Sequence, residues 1–247
     1  MKISIITVCY NSSKTIEKTF QSIQSQSYQN IEYIVVDGGS SDSTLKIIEN
    51  YKTNISEYIS EPDKGLYDAI NKGISKATGE IIGILNSDDI FTDVFVLENI
   101  AKFHLENDID ASVGNIIQFN EAGKTVRKYS SKNWTPENLK IGFMPPHPSI
   151  FFKRELFEKY GNYHLDYISG ADYELIVRFF IKHQISWKYY DITTTAMLRG
   201  GISSSGISSY LLISKEILRA LSENNIIINP LKIHLRGFWK CFGFINK

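Results

Sequence analysis

Cysteine is scarce in this chain, which has only Cys9 and Cys241, near opposite ends of the sequence. Two cysteines so far apart have neither the spacing of a zinc site nor the density of a disulfide-stabilised secreted domain. We therefore expect free thiols and a reducing compartment.

Long hydrophobic runs and an excess of charge of one sign are also missing. No segment approaches the roughly 20 apolar residues that cross a bilayer, and the first apolar stretch lacks the organisation of a signal peptide. The 27 lysines and arginines balance the 27 aspartates and glutamates, so no overall field attracts nucleic acid. These absences predict a cytoplasmic protein that does not bind nucleic acid.

The sequence does contain enough apolar residues for a large domain, and these residues follow a clear periodicity. Of its 247 residues, 43% are hydrophobic, which suits one large domain. The first 90 residues alternate apolar runs with amphipathic stretches, which predicts βαβ units and a mainly parallel central sheet flanked by helices. The predicted strands are Ile3–Val8, Ile31–Val36, Ile55–Ile59 and Ile81–Leu85.

After residue 90 the pattern becomes mixed. Helices are predicted at 96–104, before Gly161, at 173–182 and at 210–223, and strands at 111–119, 125–129, 149–152 and 187–190. We interpret the chain as a domain over residues 1–205, with an alternating half at 1–105 and a mixed half at 106–205. A helical extension at 206–247 follows it.

Polar residues follow three of the predicted parallel strands. These segments are Thr7-Val8-Cys9-Tyr10-Asn11, Asp37-Gly38-Gly39-Ser40-Ser41-Asp42 and Asn86-Ser87-Asp88-Asp89. Ligands bind at the carboxyl ends of strands in parallel α/β sheets, although the same residue types are common in turns and helix caps. Three such segments at successive strand ends favour a ligand site.

Asp88 and Asp89 follow a strand, where their carboxylates can converge on a hard cation. Mg²⁺ or Mn²⁺ is usually held by one or two carboxylates together with substrate phosphates and water. The segment therefore predicts a divalent-cation site for a nucleoside diphosphate, with a plain Asp-rich turn as the alternative.

Four segments, taken in order, resemble glycosyltransferase family 2. They read ISIITVCYNSSKTIEKTFQSIQSQSYQNIEYIVVDGGSSDST, SEPDKGLYDAINKGISKATGEIIGILNSDD, HPSIFFKRELFEKYG and SGADYEL. The resemblance implies a GT-A-like fold, in which residues 1–105 bind the nucleotide sugar and residues 106–205 bind the acceptor. It also implies an inverting, metal-dependent transferase that uses a nucleoside diphosphate sugar, with UDP-sugars favoured.

The resemblance assigns roles to residues of the first half. It places Asp37 against the nucleobase, where a carboxylate accepts an imino N–H such as that of uracil N3 or guanine N1. It makes Asp88 a metal ligand with Asp89 as the next candidate, while Asn86 departs from the usual Asp-x-Asp pattern. The remaining predicted donor-site residues are Thr7, Tyr10, Asn11, Lys64, Asp68, Asn71, Asn86 and Ser87.

In the second half, the resemblance makes Asp172 the general base that takes the proton of the acceptor hydroxyl. The alternative is that Asp172 only caps a helix, with Glu174 as the substitute base. His147 matches a position near the acceptor, although a single histidine in a loop is often structural. Arg199, in a Gly- and Ser-rich loop, is predicted to pair with a phosphate of the donor.

The C-terminal segment has an amphipathic pattern. Leu231, Leu235, Phe238 and Phe242 follow one helical stripe, and Lys232, Arg236 and Lys240 follow another. This pattern is typical of an interfacial helix, but a helix docked on its own domain has the same pattern. A peripheral contact with the inner face of the cell membrane is thus one of two predictions.

Two other enzyme classes fit less well. The Gly-rich turns of a sugar-1-phosphate nucleotidyltransferase or a dinucleotide dehydrogenase do not follow the first strand. A binding module of the same fold without catalytic activity is the alternative, and Asn86 is its only support. The resemblance to glycosyltransferase family 2 implies a setting in the assembly of a bacterial surface polysaccharide, on a carbohydrate or lipid-linked oligosaccharide acceptor.

Overall fold

The computed structural model describes residues 1–120, 122–198 and 206–236. The strands over these residues are β1 Ile3–Cys9, β2 Ile31–Asp37, β3 Glu57–Ser60, β4 Ile81–Ile84, β5 Asp89–Phe91, β6 Ala111–Phe119, β7 Thr125–Tyr129, β8 Ile150–Lys153 and β9 Trp187–Leu198. The helices are α1 Ile16–Gln24, α2 Thr44–Tyr51, α3 Leu66–Lys76, α4 Val96–Asn107, α5 Glu155–Tyr160, α6 Ala171–Val177, α7 Gly206–Glu223 and α8 Pro230–His234. Residues Arg178–Lys182 continue α6 as a π-helical turn.

The strands form one mixed sheet in the order β3-β2-β1-β4-β8-β6-β9-β5, with β7 beside β6. Strands β1 to β4 are parallel to one another, β8 is antiparallel to β4 and β6, and β9 runs parallel to β6. The predicted fold class, an α/β sheet with a parallel first half and a mixed second half, is confirmed.

The parallel strands form because their residues are buried on both faces. Every residue of β1 and β4 is buried, as the isoleucine-rich runs predicted. Ile3 and Ile5 pack with Phe20 of α1 on one face of the sheet. On the other face α3 lies so close to β1 that a Cβ on Gly73 would stand 2.4 Å from the Ile6 side chain.

A buried carboxylate stabilises the amino ends of these strands. Glu32 of β2 accepts hydrogen bonds from Lys2 Nζ at 2.6 Å, from the Ser4 hydroxyl, and from Thr78 N at 2.6 Å. Burial opposes ionisation of Glu32, but the bonds from Lys2, Ser4 and Thr78 outweigh it and lower the pKa of Glu32 to about 2.

One predicted strand is too short. The aromatic strand expected at residues 187–190 continues to Leu198, since it pairs with both β6 and β5. Thr194 and Thr195 are fully buried in that extension. Because both side chains are polar, the sequence pattern did not indicate a buried strand there.

Contacts within the chain define two compact units. The first contains Met1–Lys132, Pro145–Tyr163 and the strand β9, and therefore the whole sheet. The second contains Asn133–Met144, His164–Ile185 and the helices α7 and α8.

Candidate functional site

The carboxyl ends of β1, β2, β3 and β4 meet at one edge of the sheet, which we call the carboxyl edge (residues 7–12, 37–42, 60–64 and 85–89). Cys9, Asp37 and Ser60 lie side by side in register. Thr7 Oγ1 donates to the Leu85 carbonyl at 2.8 Å, and the hydroxyls of Ser12 and Ser87 are 2.8 Å apart. The three polar segments singled out in the sequence therefore do come together.

Asn11 joins two of these segments. Its backbone is in the left-handed region, with φ of 49°, and its amide N–H donates to Ser40 Oγ at 2.8 Å. Its side-chain oxygen accepts from Ser41 N at 2.9 Å. Asn11 thus fixes the loop after β2, while the neighbouring Tyr10 is 65% exposed and presents its ring to solvent.

Asp37 is fully buried at the end of β2 and organises the loop that follows it. Its Oδ2 accepts from Gly39 N at 3.1 Å, Ser40 N at 3.0 Å and Ser60 Oγ at 2.8 Å. Its Oδ1 accepts from the Ser40 hydroxyl. The contact with a nucleobase stays a prediction for Asp37, whose oxygens in this structure are used within the protein.

Asp88 and Asp89 are two adjacent carboxylates largely shielded from water. Burial raises the pKa of Asp88, and burial together with the charge of Asp88 raises the pKa of Asp89 well above its usual range. Asn86 Nδ2 donates to Asp89 Oδ2 at 3.3 Å, but Asp89 Oδ1 is buried without a hydrogen bond to any described residue.

These features fit a divalent cation. Neither Asp88 nor Asp89 forms an ion pair within the described part of the chain, and a buried carboxylate without a cationic partner is costly. In residues 1–120, 122–198 and 206–236, no group of three or more His, Cys, Asp or Glu side chains surrounds a metal site. Two carboxylates with phosphate and water oxygens would complete the shell that Mg²⁺ or Mn²⁺ prefers.

The predicted residues near α3 have different environments. Asp68 Oδ2 accepts from the backbone N–H of Lys64 at 3.0 Å and lies 3.6 Å from Lys72 Nζ, while Lys64 itself is exposed. The Asn71 amide donates to Tyr163 O at 2.8 Å and accepts from Tyr163 N at 3.0 Å. Asn71 therefore fixes a loop 92 residues away.

Tyr163 connects Asn71 to His147. The Tyr163 hydroxyl is 2.6 Å from His147 Nε2, and burial lowers the pKa of His147 to about 4. His147 is therefore neutral near pH 7 and offers a hydrogen-bonding imidazole rather than a charge. Sequence reasoning missed Tyr163, because its role depends on a contact between distant parts of the chain.

In the second unit Asp172 is the second residue of α6, in its first turn. The N-cap of that helix is Gly170, so the alternative interpretation of Asp172 as the cap is wrong. Glu174, the substitute base, is 1% exposed and pairs with Arg178 at 2.8 Å and Asn224 at 3.1 Å. Its carboxylate is therefore already paired within the protein.

The loop before Asp172 is held by Glu216 of α7, which sequence reasoning also missed. Its carboxylate accepts from the backbone N–H groups of Ile168 at 2.6 Å and Ser169 at 3.0 Å. Nothing in the sequence around Glu216 signals this contact, which joins residues 48 apart.

The remaining predictions fall partly outside the described residues. Arg199 lies outside them, as do Phe238, Lys240 and Phe242 of the C-terminal stripes. In α8 and the residues after it, Leu231 and Leu235 are 58% and 38% exposed, whereas Ile233 and Arg236 are buried. Over the described residues, no helix combines the length and hydrophobicity required to cross a bilayer.

Comparison with known proteins agrees with this geometry. Residues 4–171 match the family model described as glycosyl transferase family 2. An uncharacterised glycosyltransferase of Mycobacterium tuberculosis is 30% identical over 183 residues, which cover 71% of this chain and 68% of the relative. A PGL/p-HBAD biosynthesis glycosyltransferase of Mycobacterium bovis is 27% identical over 244 residues, covering 96% of this chain and 90% of the relative.

Solved structures share the fold. S. aureus TarS, in a complex with UDP-GlcNAc, superposes with a TM-score of 0.70 at 23% identity, over 88% of this chain and 67% of that one. A mannosyltransferase from Pyrobaculum calidifontis, in a complex with GDP-Man and Mn²⁺, has a TM-score of 0.67 at 18% identity, over 96% and 69% of the two chains.

Proposed function

Because the chain belongs to glycosyltransferase family 2, we propose that it transfers a sugar from a nucleoside diphosphate donor to an acceptor hydroxyl, with inversion at the anomeric carbon. The observation that carries this proposal is the pair Asp88 and Asp89 at the carboxyl edge. Burial raises the pKa of both carboxyls, and a bound cation would provide the charge that makes them ionise. Mn²⁺ or Mg²⁺ held there would stabilise the diphosphate as it leaves.

The donor is proposed to occupy the half at residues 1–105. UDP-sugars are favoured, in keeping with the UDP-GlcNAc complex of TarS, while the GDP-Man complex of the mannosyltransferase makes GDP-sugars the alternative. Lys64, exposed just before α3, and Arg199 are proposed to pair with the phosphates. Asn11, Asp68 and Asn71 order the surrounding loops and α3.

The acceptor is proposed to bind the half at residues 106–205. Its hydroxyl oxygen attacks the anomeric carbon while the bond from that carbon to the diphosphate breaks, and the hydroxyl proton passes to a carboxylate oxygen of Asp172. Neutral His147, oriented by Tyr163, is proposed to hydrogen-bond the acceptor.

The proposed setting is the assembly of a bacterial surface polysaccharide on the inner face of the membrane, as expected from the sequence. The relative in Mycobacterium bovis, named for PGL/p-HBAD biosynthesis, supports a lipid-linked acceptor. Leu231 and Leu235, the described leucines of the predicted apolar stripe, are both exposed and would contact the membrane. The segment at 206–247 is thus proposed as a helical extension with a peripheral membrane role.

The experiment is a donor screen on the full chain. UDP- and GDP-sugars are incubated with the protein, with Mn²⁺ or with EDTA, and release of free nucleoside diphosphate is measured. Without an acceptor, slow hydrolysis of the donor also releases nucleoside diphosphate. We expect this release from one class of donor, and only when Mn²⁺ is present. The absence of both binding and turnover for all donors, in a protein that melts cooperatively, would refute the proposal.

A further inference from the structure

Asp63, a further carboxylate of the carboxyl edge, occupies the space that Gly38 leaves because it has no side chain. Gly38 follows Asp37, and its N–H donates to the Cys9 carbonyl at 2.9 Å. A Cβ on Gly38 would stand 2.2 Å from Asp63 Oδ2, which is closer than any side chain permits. The carboxylate of Asp63 therefore lies against the end of β2 because residue 38 has no side chain.

The two oxygens of Asp63 differ in their partners. Oδ1 accepts from Gly65 N at 2.8 Å, which fixes the orientation of the carboxylate. Oδ2 accepts no hydrogen bond from any residue that the structure describes, and Asp63 is only partly buried. Asp37, by contrast, is fully buried and its Oδ2 already accepts three bonds from the protein.

We infer that Asp63 is the residue that recognises the nucleobase of the donor, by accepting an imino N–H with its unpaired oxygen Oδ2. This inference rests on the proposed function. The group recognised is N3–H of uracil or N1–H of guanine, because a carboxylate accepts and does not donate. Cytosine N3 and adenine N1 are acceptors, so the same carboxylate disfavours both bases. Tyr10, exposed at the end of the adjacent strand β1, presents an aromatic ring suited to stacking on the face of a base.

The test is a titration of the full chain with UDP, GDP, CDP and ADP in the presence of Mn²⁺, by calorimetry. We expect the wild type to bind UDP or GDP about 10- to 100-fold more tightly than CDP, the scale of one hydrogen bond to a charged acceptor. In Asp63→Asn the side chain can donate as well as accept. The preference over CDP should then fall to within a few-fold.

Gly38→Ala tests the geometry independently. Gly38 is not in the left-handed region, so the added methyl strains no backbone and instead displaces the Asp63 carboxylate. We expect the same loss of preference although the charge is kept. The matched control is Glu61→Gln, an exposed carboxylate in the same segment that pairs with Lys72 at 2.9 Å, and this variant should keep the wild-type preference. Thermal melting of each variant confirms folding.

The outcomes separate the inference from the function on which it rests. Equal affinities of the wild type for all four diphosphates, or an unchanged preference in folded Asp63→Asn, would overturn the role of Asp63 and leave the transferase proposal standing. If the wild type bound none of the four, the proposed function would fail first and the inference with it.

Discussion

The variant Asp37→Asn tests whether Asp37 stabilises the loop after β2 or recognises the nucleobase of the donor. The substitution keeps the shape of the side chain but removes its charge and replaces one oxygen with an NH₂ group. The three donors to Oδ2 are Gly39 N, Ser40 N and Ser60 Oγ, whereas the Ser40 hydroxyl that faces Oδ1 can turn and accept. The amide should therefore place its oxygen toward Gly39 and Ser60.

In that orientation the three hydrogen bonds to this oxygen remain, but the acceptor no longer carries a charge. A hydrogen bond to a charged group contributes about 1 kcal/mol more than a neutral one, and the cost of burying the charge offsets part of that gain. We therefore expect Asp37→Asn to lower the free energy of unfolding by up to roughly 3 kcal/mol. For a chain of this size that upper limit corresponds to a fall in the melting temperature of roughly 6 to 12 °C. Amide hydrogen exchange should accelerate in residues 38–42.

The assay is thermal and urea unfolding together with nucleotide titration on the same preparation. Asp63→Asn is the matched control, because Asp63 Oδ1 accepts one bond, from Gly65 N, and its unfolding free energy should change by about 1 kcal/mol or less. If Asp37→Asn melted like the wild type but lost its preference between bases, the loop-holding argument would be refuted. The base contact predicted for Asp37 would then hold.

The other predictions concern catalysis, pH and the membrane. Asp88→Asn should abolish the increase in donor affinity that Mn²⁺ produces, measured by calorimetry with and without EDTA. Asp172→Asn should lower turnover by roughly 100-fold or more while donor affinity stays unchanged, and normal turnover would withdraw its role as the base. The low pKa of Glu32, about 2, gives stability that is present above its unfolded pKa near 4.5 and lost as pH falls toward 2. Glu32→Gln should remove up to about 3 kcal/mol at pH 7 and flatten that dependence in acid unfolding curves. Replacing both Leu231 and Leu235 by glutamine should reduce binding to anionic lipid vesicles without lowering the melting temperature, and unchanged binding would exclude these residues as the contact.

The strands were predictable because burial on both faces imposes a simple composition. Four of them were expected from runs of isoleucine and valine, and the structure places β1, β2 and β4 within a residue or so of those runs. The extension of β9 was not predictable, because Asp191 interrupts its apolar pattern and the buried Thr194 and Thr195 look like loop residues. Their environment is set by pairing with strands remote in sequence.

The location of the site was predictable from the sequence, but the roles of its individual residues were less so. Strand order and register bring Thr7, Asn11, Asp37 and Ser87 to one edge, which follows from the parallel pattern alone. Which hydrogen bonds each side chain makes does not follow. Asn71, for example, was predicted to line the donor site, yet both ends of its amide bind Tyr163. The sequence contains no local signal for that partner.

Asp37 and Asp63 show how a role can depend on a side chain that is absent. Both are aspartates that follow or end a parallel strand, and both have the oxygen chemistry that an imino N–H requires. A motif assigns the role to Asp37 because of its place after the strand. The physical requirement is instead an acceptor that is held in position and not already used, and Asp63 Oδ2 meets it only because Gly38 leaves room. Gly38→Ala is therefore the decisive variant, because it keeps both carboxylates in the chain and displaces that of Asp63. A loss of base preference in this variant would show that the preference depends on the position of the Asp63 carboxylate.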